Sequence, residues 1–171
     1  MDESSLAAVI RDEADRALWE VENVIACAPD ALWDKCYCEM PLWKHVYHML
    51  HSLDQWYINP RIYTEPPFHE TDLNNLDAVS EKRLSRAEIG CYFSAVKAKI
   101  TAYNAALTDE ALLLRPERCE WTRFTLILAQ HRHLHSHMGM LMGFLIEDTG
   151  KWPKTLGLTR PIPENETGIA F

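Results

Sequence analysis

Apolar residues return along the first part of the chain at alternating spacings of four and three: Ile10, Ala14, Ala17, Val21, Val24 and Ala28. Leu6, Val9, Leu18 and Ile25 widen the stripe, while Arg11, Asp12, Asp15, Arg16, Glu22 and Asn23 cover much of the other side. That pattern predicts an amphipathic helix over 4–28, stopped by Pro29, whose ring cannot continue it. A connection over 30–40 has room for one short turn at 30–35. Pro41 then stands where a first helical turn tolerates proline, and Pro60 closes a second helix predicted over 41–59. Its strongest apolar arc is Leu42, Val46, Met49, Leu50, Leu53 and Trp56.

Residues 60–84, with Pro60, Pro66, Pro67 and the run TDLNNLD, read as a long loop of the kind that serves function or a bundle crossover. Ser85 and Glu88 are spaced as a capping box. They open a third helix over 86–107 that buries Ile89, Tyr92, Phe93, Val96, Ile100 and Tyr103. Thr108 caps one further turn through Leu114 before Pro116, and a fourth long helix is predicted over 122–148. From about residue 150 the tail is irregular, punctuated by Gly150, Pro153, Gly157, Pro161 and Pro163. Four long helices and no alternating strand predict an all-α fold, most economically a four-helix bundle.

Composition narrows the setting. The 171 residues suit one domain, 1–171, and 47% hydrophobic with 25% charged residues is a globular balance. A formal net charge of −8 speaks against nucleic acid and anionic membranes as partners. The MDESSL start lacks a signal-peptide pattern, and no apolar run approaches the roughly 20 residues of a membrane span, so the cytoplasm is expected. Five cysteines without a C-x-x-C pair fit reduced thiols, and Cys36 and Cys38 read as two partly buried thiols beside a helix start rather than a redox pair.

The candidate chemistry lies in histidines. Four of the eight fall within QHRHLHSH: His131, His133, His135 and His137. On a helix these form two i, i+4 pairs, His131/His135 and His133/His137, on nearly opposite faces. Both pairs have apolar company, so amphipathicity does not choose between them. Arg132, Ser136, Gly139 and Gly143 form a strip of mostly small residues that admits a close helix or a dimer contact. The second helix adds His45, His48 and His51; periodicity favours His45, which borders the apolar arc, as the inward one. Two imidazoles from one helix and one from another suit Zn²⁺, Ni²⁺ or Fe²⁺ and leave coordination positions open, the catalytic pattern.

Other bundle chemistries lack their residues. No glutamate precedes a histidine by three, as di-iron sites require, and C-x-x-C-H, H-E-x-x-H and phosphate-binding glycine loops are absent. A histidine phosphotransfer bundle needs only one exposed histidine and stays open.

Two stretches resemble the DinB-like (DinB/YfiT) metal-binding bundles. In that family a turn-former opens the second helix seven residues before a metal histidine, as Pro41 and His48 stand in PLWKHVYHMLHSLDQW. The last helix carries two histidines four apart with a glycine two residues on, as His133, His137 and Gly139 do in HLHSHMGMLMGFL. The helix spacing along the chain also agrees. Met140 and Arg132 depart from the glutamine and asparagine frequent at those positions.

The resemblance implies an up-up-down-down four-helix bundle, usually a homodimer, with a three-histidine site for zinc or nickel. It selects His48, His133 and His137 as ligands, displacing the periodicity choice of His45 and leaving His51 as the fallback. It further implies a metal-dependent enzyme acting on a small molecule, either a thiol S-transferase with a low-molecular-weight thiol as cosubstrate or a hydrolase. Asp54 and Glu70 are the candidates for a general base, and the 60–84 loop, with Tyr63, Phe68 and His69, is a candidate cover. The competing expectation is a non-catalytic dimeric bundle, a stress-response or interaction protein whose metal is structural or adventitious.

Overall fold

The computed structural model describes residues 5–163 and Phe171, and it is mostly helical. Helix α1 spans Leu6–Cys27, α2 Leu42–Trp56, α3 Arg86–Ala105, the short α4 Asp109–Leu113, and α5 Arg123–Thr149. A 3₁₀ turn at Asp30–Leu32 and a two-residue antiparallel pair, β1 (Cys36–Tyr37) with β2 (Met40–Pro41), fill the first connection. The four long helices touch in a ring, α1 on α3, α3 on α2, α2 on α5, and α5 on α1.

Local chemistry sets the helix ends. Ser5, Ser85, Thr108 and Thr122 each accept a backbone N–H of the first turn, and Ser85 and Glu88 complete the capping box. Gly150 ends α5 in the left-handed region, φ 68°, which costs glycine little. Arg86, at the start of α3, ties down the end of α1. Its guanidinium donates to the Ile25 and Ala28 carbonyls at 2.8 and 2.6 Å and to Asp30 at 2.8 Å, and it lies over the Trp33 ring. At the other end of α1, the Asp109 carboxylate accepts from the backbone nitrogens of Leu6 and Ala7.

Four sequence expectations need correction. Pro41 lies just outside α2, as its extended N-cap, because it pairs with Cys36 in the small hairpin. The second helix ends at Trp56, not 59, and α3 ends at Ala105, not 107. The predicted arc of α2 is also too narrow. Trp56 is 36% exposed, whereas Lys44, His45, Tyr47 and His51 are buried. The 57–85 connection packs over the outer face of α2, with Leu73 fully buried and the Lys44 ammonium donating to the Ala78 carbonyl. A helix covered on both sides has no polar face to read. The first residue of the helix predicted over 4–28 lies outside the described residues. Among the described residues, no helix is long and apolar enough to cross a membrane.

Candidate metal centre

The buried stripe of α5 is Leu134, Met138, Leu141 and Leu145, and it runs between the two histidine pairs. His133 and His137 form one shoulder and turn toward α2, where His48 meets them. The His48 ring lies 4.6 Å from that of His137 and 5.7 Å from that of His133, centroid to centroid. His133 and His137 are 4.4 Å apart. One ring nitrogen from each of the three lies within 4.8 Å of the others, and all three residues are half-buried.

Protonation is set by partners. The His48 Nδ1 lies 2.7 Å from the main-chain oxygen of Asn74. A carbonyl only accepts, so Nδ1 carries the proton and Nε2 keeps its lone pair. Burial pushes the His133 ring below its usual pKa, with His48 adding to the shift. Burial together with His133, His48 and His45 takes His137 down to about 4. These two rings are therefore neutral at pH 7, the form that ligates a metal. Their Nδ1 atoms are buried and have no hydrogen-bond partner. One ring nitrogen from each of three imidazoles on two helices converges here, an arrangement that could hold a cation. The donor set suits a divalent transition metal.

The remaining histidines go elsewhere. His45 is buried, as periodicity expects, but its Nε2 donates to the Tyr37 carbonyl at 2.7 Å and its ring meets Phe144 edge-on. It anchors the hairpin. His51 is buried too, although it lies off the predicted arc, and its Nε2 faces Glu65 at 2.7 Å with His69 stacked beside it at 4.8 Å. It joins a second cluster, His51, Glu65 and His69, rather than the first. His131 and His135 occupy the other shoulder of α5; His135 Nδ1 donates to the His131 carbonyl at 2.8 Å. The glycine strip is exposed, and a Cβ on Gly139 or Gly143 would meet nothing within 4 Å, so among the described residues no helix packs there.

The two candidate bases are engaged. Asp54 accepts from the Tyr92 hydroxyl at 3.0 Å and from the Lys99 ammonium, and Glu70 pairs with Lys82 at 3.1 Å. Asp54 lines a cavity of about 560 Å³ with Thr64, Pro66, Phe68, Cys91 and Tyr92, and none of the three clustered histidines contributes to its wall. Sequence reasoning missed Glu65 and Asn74. The four-residue spacing from Glu65 to His69 was the only signal for the former, and nothing marked the latter.

Comparison with protein-family models, curated proteins and solved structures found no match to the chain. The functional reading therefore rests on the residues of the site.

Proposed function

We propose that the protein is a metal-dependent enzyme of DinB/YfiT-like architecture, in which His48, His133 and His137 hold a zinc or nickel ion. The observation that carries this reading is the convergence of three imidazoles from α2 and α5, two with buried, unpartnered Nδ1 atoms. Bound there, a divalent ion with open positions supplies Lewis acidity and lowers the pKa of a water or thiol toward neutrality. His48 is pre-oriented by Asn74, and the depressed pKa values of His133 and His137 keep their lone pairs free of protons. Thiol transfer to a small electrophile is the preferred reaction on the strength of the motif resemblance, with a low-molecular-weight thiol as cosubstrate; hydrolysis is the other outcome of the same chemistry. The homodimer belongs to this proposal, and Leu6, Val9 and Leu128, exposed around a cavity of about 200 Å³ between α1 and α5, are apolar surface that it would cover.

A second reading, a non-catalytic dimeric bundle, draws on one observation: the 560 Å³ cavity is not walled by the three histidines. The test uses tag-free protein loaded with zinc or nickel and assayed for consumption of a small thiol by an alkylating electrophile and for ester hydrolysis. Activity that disappears in His133→Ala and on chelation supports the enzyme. Stoichiometric metal without either activity favours the non-catalytic bundle.

A further inference from the structure

One helical turn beyond His48, α2 presents His51 to the loop that follows. The His51 Nε2 lies 2.7 Å from Glu65 Oε2, and that same oxygen lies 3.7 Å from His69 Nδ1. The two imidazoles stack at 4.8 Å with an interplanar angle of 23°. One donor atom from each of the three residues lies within 4.8 Å of the others. His51 is 2% exposed, and its other nitrogen, Nδ1, meets the Asn74 amide at 3.2 Å. The Tyr47 hydroxyl, fully buried, lies 2.7 Å from His69 Nδ1, and the Tyr63 hydroxyl lies 3.3 Å from Glu65 Oε2.

We propose that His51, Glu65 and His69 form a second divalent-metal site, separate in its ligands from the three-histidine centre. An ion pair needs one ring and one carboxylate. Here a second ring is added to the same carboxylate oxygen, and His51 has a polar partner, the Asn74 amide, behind the nitrogen that faces the carboxylate. Two histidines and one carboxylate are a donor set used for zinc and for iron(II), with positions left open. Partners behind the ligands are what fix their orientation at metal sites. When the His51 Nε2 lone pair goes to the ion, Nδ1 takes the proton, and a half-turn of the Asn74 amide presents its oxygen to it. Binding gives up the His51–Glu65 hydrogen bond and the Tyr47–His69 hydrogen bond, so this site is the weaker of the two.

Asn74 links the centres. Its carbonyl accepts from His48 of the first set, and its side chain meets His51 of the second.

The experiment is a Zn²⁺ titration of tag-free, chelator-stripped protein by calorimetry, with metal content measured after gel filtration. The parent is expected to bind two equivalents. Glu65→Gln, a near-isosteric change at an exposed side chain, is expected to weaken the second equivalent by roughly ten- to a hundredfold or more. His69→Ala is expected to abolish it, and circular dichroism of both variants checks the fold. His133→Ala is expected to keep one equivalent, held at the second site. If the three-histidine reading alone fails, the parent binds one equivalent that His69→Ala removes and His133→Ala does not. A parent that binds only one equivalent, unchanged by His69→Ala, overturns the proposal. So does a second equivalent that survives Glu65→Gln but disappears in His131→Ala, because it belongs to the His131/His135 pair.

Discussion

His48 donates its Nδ1 proton to the main-chain oxygen of Asn74, 2.7 Å away and 26 residues further along the chain. That one bond selects the tautomer and leaves Nε2 as the nitrogen without the proton. Removing any of the three rings is expected to cost more than the roughly ten- to hundredfold that loss of an outer partner costs a metal site. His48→Ala, His133→Ala and His137→Ala are therefore expected to lose the tighter-bound metal, and His131→Ala to retain it. Metal content after tag-free purification reads this directly. Loss in His131→Ala with retention in His133→Ala would reverse the assignment of the two α5 shoulders.

The metal-free protein is expected to lose stability on mild acidification. His137 titrates at about 4 in the folded chain against 6.5 as an ordinary histidine, so between those values the unfolded chain binds more protons. Stability then rises with pH across that interval, is fully present above about 6.5 and is lost as pH falls toward 4. His133 shifts in the same direction. Urea midpoints of chelator-treated protein between these limits check the sign, and His137→Gln is expected to flatten the slope relative to the parent. An unchanged slope would show that the ring is not held neutral.

His45→Ala separates burial from ligation. The variant removes the imidazole that donates to the Tyr37 carbonyl and opens space beside Phe144. A cost of about 1–3 kcal/mol is expected in urea denaturation, with metal content unchanged. Loss of metal on a preserved fold would return His45 to the ligand set.

Arg86 fastens the end of α1 to α3 through two carbonyls, one carboxylate and an indole face. Arg86→Ala is expected to destabilise by about 1.5–3 kcal/mol, the range for hydrogen bonds to a charged group. Arg86→Lys is expected to recover little, because an ammonium cannot reproduce the planar fork. Thermal and urea unfolding of the two variants, side by side, test both statements.

Which parts of this were legible in the sequence follows from where each signal lives. Helix existence was legible because capping residues and prolines act locally; Ser85 with Glu88 behaves as written. The choice between the α5 pairs was not legible from periodicity, because Leu134 and Met138 bury the strip between them and leave both pairs half in contact with apolar neighbours. The choice of His48 over His45 came from the family resemblance, not from the periodicity, and the two rings occupy different places in the structure. His45 lies deeper and spends its Nε2 on a carbonyl, whereas His48 sits at the edge facing α5. Glu65 and Asn74 were illegible because they stand in a connection without period, and only its packing against α2 brings them to the histidines.

The tether on His48 uses the main chain of Asn74, which every residue type possesses. Exchange of the side chain at position 74 leaves that carbonyl in place, whereas a change in chain length between Trp56 and Asn74 shifts the backbone that presents it. The proposed three-histidine centre thus depends, through this bond, on the path of the connection rather than on the side chain at position 74.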